Sequence, residues 1–502
     1  MTQTAPESSA VTTSGDGRFA SLDPRTGEVV AHHPVHDAKQ VADAVAQARR
    51  AGNWWQELGF AGRKERLDAW RRLLVKRLDE AAGLISAETG KPAADAKLEM
   101  VLVIDHLHWA ARNAERVLRK RRVSAGLLMS NQAATVEYLP VGVVGVIGPW
   151  NYPAFTPMGS IAYALAAGNT VVFKPSELTP GVGTWLSDTL AEIVPEHPVL
   201  SVVTGFGETG AALCRSGVDK LAFTGSTATG KRVMATCAES LTPVLVECGG
   251  KDALIVDYDA DVQLAADAAV WGAMSNAGQT CIGVERVYVH EDVADEFTAA
   301  VKKLAQKLRP GGEPGADLGP ITMPSQVDII RSHVQDALDK GAKALVGSVE
   351  SVRPPYVEPV VLADVPEDSL AITEETFGPT ITINRVRDAD EAIRLVNAGK
   401  YGLGGTVFSK ARGEELARRL KAGMVSINAV VAFAAIPSLP FGGIGDSGFG
   451  RIHGEDGLRE FARPQSVTRR KFKPLLNPMS FTRGAGTVRQ LLAIVKLRYG
   501  RK

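Results

Sequence analysis

The sequence predicts an α/β protein built on parallel sheets, and three observations carry that expectation. Short apolar runs at Val143–Ile147, Thr170–Phe173, Leu200–Val203, Leu221–Phe223 and Val244–Val246 alternate with helical segments. A second alternating set runs from about Ala253 to about Phe408. Strands buried on both faces read as continuous apolar runs, and parallel neighbours need crossover helices between them. The third observation is composition: 502 residues, 45% hydrophobic and 23% charged, give length for two or three domains with cores of their own. A formal net charge of +1 gives no general case for nucleic-acid binding. Cys214, Cys237, Cys248 and Cys281 form neither a disulfide framework nor a metal-ligand spacing, so a reducing cytoplasm is expected and no metal.

Taken in order, the chain opens with a polar Ser/Thr-rich arm from Met1 to about Gly17, without the apolar run of a secretory signal. Over 63–82, Leu67, Trp70, Leu73, Leu74 and Leu78 recur at helical spacing, and Gly90 with Pro92 supplies the stop. A basic cluster, Arg119 to Arg122, precedes an extended ribbon over 131–140. From Tyr138 to Phe173 there is no charged residue, which raises a membrane helix. Pro149, Asn151, Pro153 and Pro157 would break it, so strand, turn, apolar helix and strand are expected instead. From Arg469 to Lys502 there are ten Lys or Arg and no acid, with Val488, Leu491, Leu492 and Val495 on one helical face. That pattern suits a basic amphipathic helix on an anionic membrane surface, or a terminal helix packed on a neighbouring subunit. The second reading is the weightier, because single amphipathic helices usually face protein.

Two glycine motifs are discounted. Gly205-Phe-Gly207-Glu-Thr-Gly210 spells a dinucleotide fingerprint but follows a late strand with no acidic residue at the right distance. Gly225-Ser-Thr-Ala-Thr-Gly230-Lys231 approaches a P-loop, yet Arg232 stands where the magnesium-binding Ser or Thr belongs. A nucleotide triphosphatase is therefore the rival from another class. The strand-to-helix turn survives both failures, since its N–H groups suit a pyrophosphate. His32, His33 and His36 lack thiol or acidic company and read as structural. So does His453, and Cys214 and Cys237 read as small core residues.

Five further segments are more specific. Gly278-Gln279-Thr280-Cys281 follows a helix with Val262, Ala266, Val270 and Met274 on its apolar positions, so Cys281 is expected in a loop. Glu247-Cys-Gly-Gly-Lys251 puts a carboxylate at a strand end, and Pro149-Trp150-Asn151-Tyr152-Pro153 puts an amide in a tight turn. Lys174-Pro-Ser-Glu177 and Glu375-Thr-Phe377-Gly-Pro379 complete the set. Together they resemble the aldehyde dehydrogenase superfamily from roughly residue 20 to residue 470. Pro440-Phe-Gly-Gly443, Gly448-Phe-Gly450 and His453-Gly454 look most like class 3-type and bacterial semialdehyde members.

The resemblance implies a Rossmann-like NAD domain at 1–122 and 141–246, an α/β catalytic domain at 247–445, and an oligomerisation ribbon at 123–140 and 464–471. A basic tail at 472–502 follows. It implies Cys281 as nucleophile, Glu247 as the base that activates water, and Asn151 with the Cys281 N–H as oxyanion donors. Lys174 and Glu177 are expected at the adenosine ribose. A carboxylate there accepts from both ribose hydroxyls and repels a 2′-phosphate, favouring NAD, with NADP possible. Trp150, Gly225, Ser226 and Gly230 are expected near the pyrophosphate, and Glu375 with Phe377 at the nicotinamide ribose. Succinate-semialdehyde relatives carry two arginines where this chain has Gly159 and Ser275. Phe155, Met158 and Phe433 suggest an apolar tunnel instead, so neutral aliphatic or aromatic aldehydes are expected, with semialdehydes as the alternative. A homodimer or homotetramer is expected, because an exposed ribbon edge must pair with something. Membrane contact through the tail stays open as a further expectation.

Overall fold

The computed structural model describes residues 17–500 apart from 475; the arm up to residue 16 therefore lies outside the described residues. The chain divides into two compact units, Met1–Val117 with Pro140–Ala462, and Leu118–Leu139 with Arg463–Lys502.

The larger unit is built on two large sheets, with three two-stranded ones beside them among the described residues. In the first, five parallel strands run in the order Val244–Cys248, Lys220–Gly225, Val143–Ile147, Thr170–Lys174, Leu200–Val202. The short strand Gly448–Phe449 adds antiparallel to the outer edge at Val244–Cys248. All five apolar runs of this half are strands. The stretch without charge is a strand, a turn, the helix Phe155–Ala167 and a second strand. No helix among the described residues is long and apolar enough to cross a membrane.

The second sheet has seven strands, in the order Lys343–Val346, Val360–Ala363, Thr380–Val386, Val284–His290, Asp252–Val256, Gly404–Phe408, Met424–Ile427. Only the first pair is antiparallel. Alternate residues of Asp252–Val256 enter two different cores. Leu254 and Val256 pack with helix Val262–Met274 and Phe297, while Ala253 and Ile255 pack with Tyr288, Ile393 and Leu416. Burial on both faces is why these strands have no polar alternation.

The apolar spacing over 63–82 is shared by two helices, Gly59–Lys76 and Leu78–Thr89, which meet at Arg77 (φ −106°, ψ 23°). Leu67, Trp70 and Leu74 are fully buried, whereas beyond the break Ala81, Ala82 and Ile85 take over. Gly90 ends the second helix in the left-handed conformation (φ 72°), where glycine has no Cβ penalty.

The smaller unit contains a three-stranded sheet ordered Ala462–Arg470, Gln132–Pro140, Arg121–Val123, and the terminal helix Thr487–Tyr499. The ribbon thus begins at Arg121, inside the basic cluster.

Candidate active site

The order of the first sheet locates a crevice. Its central strand, Val143–Ile147, is flanked by the second and fourth strands of the set, Thr170–Lys174 and Lys220–Gly225. Connections leave these neighbours toward opposite sides, and ligands of open α/β sheets bind beyond the carboxyl ends at such a switch point. The carboxyl ends here carry Trp150 and Asn151, Lys174 and Glu177, Gly225 and Ser226, and Glu247. Residues scattered over a hundred positions of sequence share one rim of the sheet.

The Asn151 turn is held from beneath. Lys91 and Glu99 form a fully buried ion pair at 2.5 Å. Lys91 Nζ donates to the Asn151 carbonyl (3.0 Å) and lies 3.8 Å from the centre of the Tyr152 ring. Glu99 accepts from the Ala154 and Phe155 N–H groups at 2.9 and 3.1 Å, capping the helix that follows. The Asn151 side chain is 5% exposed, and its Nδ2 donates to the Gln279 carbonyl at 2.9 Å. Asn276 Nδ2 bridges the same two carbonyls, at 3.1 Å each. The amide is thereby fastened to the loop that carries Cys281. Lys91 and Glu99 were not singled out from sequence, where the only signal was a lysine between Gly90 and Pro92, and Gln279 stood there only as part of the Cys281 motif.

Helix Val262–Met274 ends in three consecutive left-handed residues, Asn276, Ala277 and Gly278, with φ of 53°, 53° and 72°. A Cβ on Gly278 would stand 1.9 Å from the Gly378 carbonyl oxygen, so only glycine fits. Strain of this kind, held in place by the hydrogen bonds above, presents Cys281 on a loop before strand Val284–His290. Cys281 is half-buried, unlike Cys214, Cys237 and Cys248, which are buried.

Electrostatics brings the acids together. Burial, then the carboxylates of Glu247, Glu375 and Asp252, push the Cys281 thiol well above its ordinary value. Glu247 is 4% exposed and accepts from Thr224 Oγ1 at 3.2 Å. Burial raises its carboxyl to about 7, against the pull of that hydrogen bond and of Arg451. Glu375 is raised to about 8 by burial and by Glu285. It accepts from the Gly250 N–H at 3.0 Å, and a Cβ on Gly249 would fall 2.1 Å from its carboxylate. Glu285 accepts from the Thr376 and Phe377 N–H groups and pairs with buried Lys251, fixing the Glu375–Phe377 turn.

The rim suits a dinucleotide. Ser226 caps the helix Thr227–Ala238 through the Thr229 N–H (3.3 Å), and a helix N-terminus offers further free N–H groups that suit an anion. Gly230 lets that helix close on the sheet, since a Cβ there would lie 3.0 Å from Cys248 Sγ. Lys231 pairs with Asp446 at 3.3 Å instead of reaching into the turn, unlike a P-loop lysine. Lys174 is 5% exposed and pairs with Glu177 at 3.2 Å, so the pair is not a surface one. Trp150 meets Phe377 edge-on at 5.6 Å, joining the two turns expected at the dinucleotide.

Aromatic rings fill the region beyond Asn151. Phe155 contacts His106 (5.2 Å) and His453 (5.7 Å), Phe441 contacts His453 and Phe433, and Met158 is buried. Phe433 stands beside Gly404 and Asp252, where a Cβ on Gly404 would touch both. Gly159 abuts His453: a Cβ there would meet Nε2 at 2.7 Å. Burial pushes His453 well below the usual imidazole range and His106 down to about 4, so both rings are neutral at pH 7. Ser275 caps the end of helix Val262–Met274. Among the described residues there is no cluster of three metal-ligating side chains.

The chain belongs to the aldehyde dehydrogenase family, whose description, “Aldehyde dehydrogenase family”, matches residues 11–467. It is an oxidoreductase of the NAD(P)-using class. It is 38% identical over 452 residues to the 4,4'-diapolycopene aldehyde oxidase of Methylomonas sp, covering 89% of this chain and 85% of that protein. It is 36% identical to a putative succinate-semialdehyde dehydrogenase [NADP(+)] of Mycolicibacterium smegmatis, covering 91% of this chain and 90% of that protein. Among solved structures, the NAD-dependent aldehyde dehydrogenase of Sinorhizobium meliloti superposes with a TM-score of 0.88 at 32% identity, over 93% of this chain and 94% of that one. The triphosphatase alternative is set aside by this membership and by the place of Lys231.

Proposed function

We propose that the chain oxidises neutral, apolar aldehydes to acids with NAD, through a thioester on Cys281. The observation that carries the reading is the convergence of Cys281, Glu247 and Asn151 on one crevice, with the amide tied to the loop of the thiol. Cys281 gives up its thiol proton to solvent water, Sγ bonds to the aldehyde carbon, and the carbonyl π pair moves onto the oxygen. The oxygen that becomes negative accepts from Asn151 Nδ2, whose other hydrogen serves Gln279, and from the Cys281 N–H. The dinucleotide, when bound, supplies the hydride acceptor for that adduct. Glu247 then takes a proton from water, which attacks the thioester, breaks the S–C bond and releases the acid. A carboxyl near 7 suits that work at neutral pH, being a stronger base than an ordinary glutamate.

Lys174 and Glu177 hold the adenosine ribose in this reading, Gly225, Ser226, Gly230 and Trp150 the pyrophosphate, and Glu375 with Phe377 the nicotinamide ribose. The first sheet is thus the NAD domain (1–122 and 141–246) and 247–445 the catalytic domain. The neutral pair His106 and His453 beside Phe155 supports an apolar tunnel, since neither ring supplies a cation for a carboxylate tail. The relative named for diapolycopene aldehyde fits such a tunnel. The relatives named for succinate semialdehyde and NADP favour the second reading, a semialdehyde dehydrogenase. Turnover of a panel of apolar aldehydes and succinate semialdehyde, each with NAD and NADP, separates the two. Higher kcat/KM for apolar aldehydes with NAD is expected; a preference for succinate semialdehyde would replace the substrate assignment and leave the chemistry standing.

A further inference from the structure

The smaller unit carries fifteen Lys or Arg and one acid, Glu137, in a chain whose net charge is +1. The remainder of the chain is therefore net negative. The same unit bares large apolar side chains, including Leu127, Leu128, Phe472, Met479 and Phe481, the last fully exposed. The family match ends at residue 467, before the tail begins. None of the thirteen residues of helix Thr487–Tyr499 is buried. At 3.6 residues per turn, Val488, Leu491, Leu492, Val495 and Tyr499 share an arc of about 100°. Arg489 and Lys496 flank that arc on one side and Arg498 on the other.

We propose that residues 472–500 of this unit are a docking surface for an anionic lipid bilayer. A helix of this design lies in the plane of the headgroups, its apolar arc in the acyl boundary and its basic flanks among the phosphates. Thirteen residues with three cations are too short and too charged to span, which needs about 20 apolar residues. Charge selects the partner. A second copy of residues 472–500 would bring like charge against like, since the stretch carries Lys473, Arg483, Arg489, Lys496 and Arg498 and no acid. A soluble polyanion would satisfy the cations but leave Phe481 and Met479 in water. A bilayer with acidic headgroups takes both features at once. The proposal stands independently of which aldehyde the site accepts.

The full chain is sedimented with phosphatidylcholine vesicles, and with the same vesicles containing phosphatidylglycerol, at low and high salt. Binding is expected only with phosphatidylglycerol, weakened by salt as screening shortens the reach of the charges. Deletion of 472–502 is expected to abolish it. The triple variant Arg489→Glu, Lys496→Glu, Arg498→Glu, whose sites are all exposed, is expected to reduce the partition at least about tenfold. Turnover of a short, water-soluble aldehyde should be unchanged in both. Equal binding to both vesicle types, or none, overturns the proposal. So does a triple variant that keeps its vesicle binding. A change of oligomeric state in the triple variant without vesicle binding by the parent would assign the surface to a second copy. Retention of the parent by a nucleic-acid column but not by vesicles would assign it to a polyanion.

Discussion

Glu247 shows how a single side chain joins stability to chemistry. Its carboxyl stands at about 7 in the folded protein against an ordinary 4.5. Between those values the unfolded chain releases a proton that the folded one keeps, so stability from this group falls as pH rises through the window and levels off above 7. Glu247→Gln removes that loss. The variant should match the parent below pH 4.5 and exceed it by up to about 3 kcal/mol at pH 8, in denaturant unfolding at each pH. The same variant should give one equivalent of NADH in rapid mixing and then stall; undiminished steady-state turnover would remove Glu247 as the base. With the parent, thioester hydrolysis should rise with pH through about 7, because only the ionised carboxylate accepts the proton. Gly159 is a second test at this scale. A methyl there would press on His453 Nε2 and on Ile452 Cδ1, at 2.7 and 2.8 Å. Gly159→Ala should cost about 1–3 kcal/mol in unfolding, since a packed site yields only with strain. An unchanged midpoint would show that the histidine gives way freely.

At the scale of elements, the site depends on a pair that contacts no expected reactant. Lys91 sits just past the helix that Gly90 ends, and Glu99 on the helix Ala93–Leu118. Together they hold the Asn151 turn and cap the next helix. Removing one partner leaves the other buried and unpaired, which costs about 3–5 kcal/mol. Glu99→Gln and Lys91→Met should each lose stability on that order in chemical denaturation. In whichever variant folds, kcat should fall more than the affinity for NAD, because the pair's hydrogen bonds go to Asn151, Ala154 and Phe155 and the Lys174–Glu177 end of the rim lies on another strand. Loss of nucleotide affinity with kcat preserved would contradict the positioning role. This pair was not legible in the sequence, since a lone lysine and a glutamate eight residues apart look like any solvated helix turn. The strands were legible because burial on both faces leaves a mark at every position.

For the whole molecule, the ribbon of the smaller unit has open edges along Ala462–Arg470 and Arg121–Val123 among the described residues. Unpaired strand edges recruit a neighbour, and a homodimer or homotetramer is the economical outcome. Sedimentation velocity at micromolar concentration should give a dimer or larger species; a single monomeric species would refute this use of the ribbon. None of the residues of the tail helix, by contrast, is buried among the described residues, and its uncompensated positive charge argues for lipid.

Sequence by itself determined the two α/β halves, the ribbon and the glycine at the helix stop, because each leaves a local mark. Apolar runs, turn residues and short motifs are read over five or ten positions. Tertiary structure alone decided what those marks do to one another. It broke the helix of 63–82 at Arg77, tied Asn151 to the Cys281 loop through Gln279, and set His453 against Gly159. It also raised Glu247 to about 7, because desolvation depends on atoms brought from distant parts of the chain.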